Sequence, residues 1–171
     1  AFQGWDGIYS FGYSHTEQSE PRRIDGFFDI KSNTSKIAHS IACAALFLRG
    51  DVTPGKITLT APLPAEAERR HLHDTLNAWS LKTGSVGLPE QLSMLHPIGL
   101  DLAEGAKLPE LPKLPGDTRL FVSDTAQLRW DASQKDAGFF LADTPRTKLF
   151  TGFVRGRTFP LGDVTLKIAK T

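Results

Sequence analysis

The sequence predicts an α+β fold in which one terminal βα unit of a TIM-type barrel precedes a mostly β antiparallel sandwich. Within residues 1–50, a strand-like alternation, a polar loop and an amphipathic helical segment follow one another, which is the repeating unit of a β/α barrel. From residue 119 onward, short alternating or apolar runs are separated by turn-prone residues, as in sandwiches. We therefore expect a barrel-like part, 1–50, and a β-sandwich-like part, 51–171, with one helix over about 64–80.

The barrel-like part begins with an alternating segment. Residues 3–11 place Trp5, Tyr9 and glycine on one side and Asp6 and Ile8 on the other. A period of two residues predicts a strand. The polar residues 13–25, which include a proline, predict a loop after that strand.

A helix is predicted next, because apolar residues recur at helical spacing between residues 37 and 46. Ser32 or Asn33 can cap its first turn, and Gly50 follows its last turn as a terminator. Cys43 lies in this segment, and we interpret it as a small buried residue. It is the only cysteine of the chain, so no internal disulfide can form.

The second part is predicted to be mostly strands. Residues 56–60 predict a short strand, Pro64 is well placed in the first turn of a helix, and the proline-rich residues 104–117 predict an extended connector. The other predicted strands are RLFVSD, QLRWDAS, AGFFLAD, KLFTGFV and DVTLKIAK.

Composition argues against two classes of partner. The formal net charge is +1, whereas nucleic-acid binders concentrate basic residues on one face, so we expect no nucleic acid. The longest apolar run, residues 41–48, is far shorter than the roughly 20 residues that span a bilayer, so we expect no membrane partner. The glycines form no phosphate-binding pattern, and we expect no cofactor.

Three segments in a fixed order carry a family resemblance. They are QGWDGIY at 3–9, SNTSKIAHSIACAALFLRGDV at 32–52, and DTAQLRWDASQKDAGFFLADTPRTKLFTGFV at 124–154. This set resembles the C-terminal portion of large glycoside hydrolases that join a (β/α)8 barrel to a β-sandwich. The resemblance covers most of the chain, with residues 60–115 matching least well, and implies that further barrel strands belong upstream.

The resemblance implies a sugar-binding role for Trp5, which would lie under the sugar at the end of the last barrel strand. Packing of sugar C–H groups on an aromatic ring, with polar partners for the hydroxyls, is the physical basis of such a site. The candidates to bind sugar hydroxyls at the rim are Asp6, Tyr9, Tyr13 and His15. Trp79 and Trp130 are interpreted first as packing residues, and Trp130 is kept as a substrate-binding candidate because exposed strand aromatics hold glycans in β-sandwich modules.

The catalytic residues stay unidentified. Members of this family place their two catalytic carboxylates on earlier barrel strands, which this chain lacks. Among the acids near the proposed site, Asp6 adjoins Trp5 and is the best-placed catalytic candidate; the others are Glu17, Glu20, Asp25 and Asp29. His71 and His73 lack a third ligand at helical spacing, so no metal site is predicted.

Three functional hypotheses remain open. The first is a portion of a glycoside hydrolase acting on poly- or oligosaccharide, with the missing barrel or a second copy of the chain as partner. The second is a stand-alone, non-catalytic module that binds carbohydrate or protein. The third is an active hydrolase whose site is assembled across subunits from Asp6 and the acids of residues 17–29. The class of enzyme leads us to expect a secreted or periplasmic location.

Overall fold

The structure, a computed structural model, describes residues 1–9, 12–15, 28–117 and 119–169. The fold is α+β, as the sequence predicts, with helices in the first half and antiparallel strands in the second. The α-helices are α1 (Thr34–Leu48) and α2 (Ala65–Thr75), and the 3₁₀ helices are Ala78–Ser80, Thr83–Val86 and Glu90–Met94. The strands are β1 (Leu59–Pro62), β2 (Ile98–Asp101), β3 (Leu120–Val122), β4 (Leu128–Asp131), β5 (Phe139–Asp143), β6 (Lys148–Gly152), β7 (Thr158–Leu161) and β8 (Val164–Lys167).

The helix α1 begins and ends where its sequence signals predict. The side chain of Asn33 accepts a hydrogen bond of 3.0 Å from the backbone N–H of Lys36, which satisfies one free donor of the first turn. Gly50 follows the helix with a φ of +64°, a left-handed conformation that glycine adopts without strain. Both the cap and the terminator are confirmed.

The burial predicted for α1 is wrong. No residue of α1 is buried, and Ile41 and Leu48 are 82% and 80% exposed. Cys43, interpreted from the sequence as buried, is exposed as well. An amphipathic pattern predicts which side of a helix is apolar, but burial also needs an element to pack against that side. The apolar residues of α1 therefore add nothing to the buried core of the described residues.

The strand predicted for residues 3–11 is also wrong for the part that the structure describes. Residues 1–9 contain no strand, and a hydrogen bond of 2.9 Å from Gly4 N–H to the Ala1 carbonyl closes a turn instead. Gly4 has a φ of +73°, which interrupts an extended backbone. The Phe2 carbonyl accepts from the N–H of Gly55 at 3.0 Å, so this segment attaches to the second part of the chain.

One core lies beneath a parallel strand pair. β1 and β2 are parallel, with Leu59 opposite Ile98, and β1 begins later and runs further than the predicted strand at 56–60. The buried residues of this core are Leu59, Ala61, Leu88, Leu92, Leu95 and Phe121. Strand β2 and the 3₁₀ helices were not predicted, and the second helix ends at Thr75, earlier than predicted, because Leu76 adopts a left-handed φ of +58°.

The second core lies between two antiparallel units. β3, β4, β5 and β6 form a sheet in chain order, and β7 and β8 form a hairpin. The four strands of the sheet and β8 confirm the five strands predicted after residue 118. Phe139 of β5 meets Phe159 and Leu161 of β7 in this core. β7 was missed because Pro160 lies inside it and proline is disfavoured within sheets.

A buried carboxylate joins the end of α1 to the turn before β6. Asp51 has no exposed side-chain surface; it accepts hydrogen bonds from the Thr147 hydroxyl and the Arg49 guanidinium, and Arg146 lies 2.7 Å away. The hydrogen bond from Thr147 is the largest cause that holds the pKa of Asp51 below its ordinary value; Arg49 and Arg146 act in the same direction and burial acts against them. Removing this charge would leave two guanidinium groups without their anionic partner.

We predict that Leu92→Ala destabilises the chain by about 2–5 kcal/mol, because it opens a cavity in the first core. Leu92 is 0% exposed and lies among six buried residues of that core. Chemical denaturation measures the loss. Leu102→Ala is the matched control, since Leu102 is 61% exposed and its truncation should change stability by less than about 0.5 kcal/mol. Equal losses in the two variants would contradict this core.

We also predict that stability falls at acid pH partly through Asp51. A carboxyl whose pKa is lower in the folded state binds a proton more readily when unfolded, so its contribution is complete above its ordinary pKa of 3.8 and is lost as pH falls below it. Asp51→Asn should be less stable at neutral pH and should lose less stability between neutral and acid pH. Denaturation curves at several pH values measure both effects, and an unchanged pH dependence in Asp51→Asn would contradict the assignment.

Candidate functional site

The side chain of Gln3 fixes the segment that carries Trp5. Its amide nitrogen Nε2 donates to the carbonyls of Ser93, at 3.0 Å, and His96, at 3.2 Å. Its oxygen Oε1 accepts from the backbone N–H of Ile98 at 2.9 Å. The amide of Gln3 therefore satisfies three backbone groups at the start of β2, and Trp5 follows two residues later.

Trp5 lies at the boundary of two cavities, with 64% of its surface exposed. The larger cavity, of about 480 Å³, lies against the 3₁₀ helix at 83–86 and against β2. Its polar wall consists of Gln3, Lys82, Thr83 and Ser93, and its apolar wall includes Val86 and Leu100. Trp5 thus lines a space whose wall includes the ammonium-bearing Lys82 and the hydroxyl-bearing Thr83, whereas the amide of Gln3 is already bonded to three backbone groups.

Beyond the larger cavity, two smaller ones follow along residues 4–9. The first, of about 360 Å³, is lined by Trp5 and Asp6 and by Phe47 and Leu48 of α1. The second, of about 420 Å³, shares Asp6, Phe47 and Leu48 with it and extends to Tyr9. We call these three neighbouring cavities together the Trp5 groove, with Trp5 and Asp6 at its two internal boundaries.

The structure brings three of the predicted site residues into the groove, namely Trp5, Asp6 and Tyr9. Tyr13 and His15 do not line it. Tyr13 is 63% exposed, and its carbonyl accepts from the N–H groups of Ile30 and Lys31. His15 contacts the buried Asp29 through its ring nitrogen Nδ1 and through its backbone N–H at 3.2 Å.

The other two tryptophans lie outside the groove. Trp130 stands opposite Phe121 in the sheet, with ring centres 6.0 Å apart, and lines a small cavity of about 170 Å³ that Phe2 closes from the N-terminal segment. Trp130 therefore packs on Phe121 while 42% of its surface stays exposed, and both the packing role and the substrate-binding role remain predictions for it. Trp79 is 91% exposed, so the packing role expected for it is wrong.

The acids near Trp5 do not form a carboxylate pair in the described part of the chain. Asp6 is the only carboxylate among the described residues that line the groove. Asp29 is 4% exposed and is engaged with His15. Glu17, Glu20 and Asp25 lie outside the described residues. Glycoside hydrolysis needs two carboxyl groups at a defined separation, and the described residues that line the groove include one, Asp6.

Sequence reasoning missed a buried pair of His96 and Asp124. Nδ1 of His96 lies 3.1 Å from Oδ2 of Asp124, and their side chains are 11% and 8% exposed. The same oxygen accepts from the backbone N–H groups of Lys56, at 2.9 Å, and Ile57, at 3.0 Å. Burial acts to raise the pKa of Asp124, but the two backbone donors and His96 outweigh it and hold the pKa below its ordinary value.

This pair supports the groove rather than lining it. His96 offers its carbonyl to Gln3 while its ring is held by Asp124, which belongs to the turn after β3. The partners are 28 residues apart, and no local spacing in the sequence indicates their contact.

Comparisons with protein-family models, with curated proteins and with solved structures find no match to this chain. No helix in the described ranges combines the length and apolarity needed to cross a membrane. In the same ranges, no three His, Cys, Asp or Glu residues are grouped so that they could hold a metal ion.

Proposed function

We propose that this chain binds poly- or oligosaccharide through the Trp5 groove and is the C-terminal portion of a glycoside hydrolase. The observation that carries the proposal is the exposed indole of Trp5 between two mainly apolar cavities, one of which has Asp6 in its lining and the other Lys82 and Thr83. A sugar ring presents C–H groups on its faces and hydroxyls around its edge. It therefore fits an aromatic surface surrounded by hydrogen-bonding groups.

The walls of the groove supply partners for hydroxyl groups on both sides of Trp5. Lys82 and Thr83 stand on one side, and the Asp6 carboxylate stands on the other. The cavities of about 480 and 360 Å³ lie within the range of about 300–1,000 Å³ for small-molecule sites. Two such spaces in series favour a chain of sugars over a single one.

The exposed apolar side of α1 supports the larger-enzyme part of the proposal. In a complete enzyme, residues 1–50 would supply the terminal βα unit of a TIM-type barrel, and the rest of that barrel would cover the exposed part of α1 that lies outside the groove, such as Ile41. Residues 51–171 would then form the accessory β-sandwich-like domain, built on the sheet β3–β6 and the hairpin β7–β8.

In this proposal the catalytic carboxylates belong to the rest of the enzyme, and Asp6 binds a sugar hydroxyl. The presence of a single carboxylate in the described groove also supports the alternative of a stand-alone, non-catalytic carbohydrate-binding module. The two candidates share the groove and differ in what covers α1. A chain that stays monomeric and soluble with α1 uncovered favours the binding module, whereas association through α1 favours the larger enzyme.

We predict that Trp5→Ala weakens the binding of neutral oligosaccharides by about tenfold or more, because it removes the apolar surface on which a sugar ring packs. Isothermal titration calorimetry with gluco-, xylo- and manno-oligosaccharides measures the affinity. Trp79→Ala is the matched control, since Trp79 is 91% exposed and lies outside the groove. Its affinity should equal that of the unchanged chain.

Two results would contradict the proposal. One is the absence of binding to every oligosaccharide by the unchanged chain at millimolar concentration. The other is an equal loss of affinity in Trp5→Ala and Trp79→Ala.

A further inference from the structure

Another cavity, formed by residues remote in sequence from the Trp5 groove, lies between the sheet and the β7–β8 hairpin. Its volume is about 570 Å³. Arg129 of β4, Gln134 of the following turn, and Arg157 and Thr158 at the start of β7 supply its polar groups. We call it the arginine cavity.

The two guanidinium groups converge on one aromatic ring. The guanidinium carbon of Arg157 lies 4.6 Å from the centre of the Phe139 ring, and that of Arg129 lies 5.8 Å from it. Phe139 is 8% exposed and belongs to the second core, so it provides a rigid base for both cations. The positions of the two charges are therefore set by packing.

Each arginine keeps most of its donors for a ligand. Arg157 donates through Nη2 to the Ala137 carbonyl, and Arg129 donates through Nη2 to Oδ2 of Asp131 at 3.0 Å. A guanidinium group has five N–H donors. Among the described residues, the carbonyl of Ala137 and the carboxylate of Asp131 are the acceptors that these two guanidinium groups use. The remaining N–H groups can engage a planar acceptor such as a carboxylate.

The charge in the arginine cavity is positive and close to one unit. Asp131 accepts from Ser133 and from Arg129, and so balances Arg129 in part. Arg157 is held by a neutral carbonyl, and its charge has no carboxylate beside it among the described lining residues. A ligand with one negative charge matches this net charge better than a ligand with two does.

The remaining wall suits a ligand with an apolar face. Phe159 is 5% exposed and is stacked on Phe150 at 5.0 Å, and Leu141 and Pro160 continue the same wall. Gln134 and Thr158 offer an amide and a hydroxyl at the rim. These are the partners that ring hydroxyls need.

We propose that the arginine cavity binds a carboxylate-bearing sugar, of the uronic acid class, through Arg157 and Arg129. The two arginines indicate a carboxylate. That the ligand carrying it is a sugar rests on the proposed function. The cavity would make the chain selective for acidic saccharides at a position separate from Trp5.

The test compares glucuronate with glucose, which differ only in the carboxylate, by calorimetry and by ligand-observed NMR. Glucuronate should bind the unchanged chain about tenfold or more tightly than glucose does. Arg157→Gln should remove most of this difference, and Arg129→Gln should reduce it. Arg69→Gln is the matched control, since Arg69 lies on the exposed side of α2 and the substitution makes the same change in net charge.

Thermal unfolding of each variant separates binding from folding. If Arg157→Gln fails to fold, Arg129→Gln and the comparison of the two sugars in the unchanged chain still decide the question. Equal binding of glucuronate and glucose overturns the proposal, and so does an equal loss of glucuronate binding in Arg69→Gln. If acetate binds as tightly as glucuronate, the cavity is a general anion site and the sugar assignment is overturned.

Failure here is distinguishable from failure of the proposed function. Trp5→Ala should leave glucuronate binding at the arginine cavity unchanged, whereas Arg157→Gln should leave neutral oligosaccharide binding unchanged. Glucuronate binding without neutral oligosaccharide binding would support the arginine cavity and contradict the role of Trp5.

Discussion

The hydrogen bonds of one amide side chain determine where the candidate site lies. Gln3 satisfies the carbonyls of Ser93 and His96 and the N–H of Ile98, three backbone groups beside the parallel pair β1–β2. That pair lies over the first core, and the ring of His96 is held in turn by Asp124. Residues 1–9 form no strand. Together with the hydrogen bond from Gly55 N–H to the Phe2 carbonyl, the Gln3 amide attaches this segment to the rest of the described chain and places Trp5 beside residues 82–86.

The sequence predicts correctly those features of the fold that depend only on residues close together in the chain. Asn33 and Gly50 bound α1 as predicted, because a cap and a terminator act within one turn of the helix. Packing could not be predicted in the same way. The pattern of α1 indicates an apolar side, and the alternation of residues 3–11 indicates a strand, but each needs a partner element that the described chain does not supply.

The two candidate sites also combine residues that are close in sequence with residues that are far apart. Trp5, Asp6 and Tyr9, which are predicted site residues, lie together because they are close in sequence. The partners that hold them come from far away: Gln3 reaches residues 93–98, and Asp124 reaches His96. The arginine cavity joins residues of β4 and β7, and no spacing in the sequence indicates that Arg129 and Arg157 meet at one phenylalanine ring.

The measurement that tests this account most directly is the oligosaccharide affinity of Gln3→Met. The substitution keeps the length of the side chain and removes its three hydrogen bonds, while Trp5 itself is retained. The account predicts that affinity falls several-fold although the chain stays folded, because Trp5 is no longer held beside the wall formed by residues 82–86. An affinity equal to that of the unchanged chain would show that Gln3 does not position Trp5, and would contradict the account.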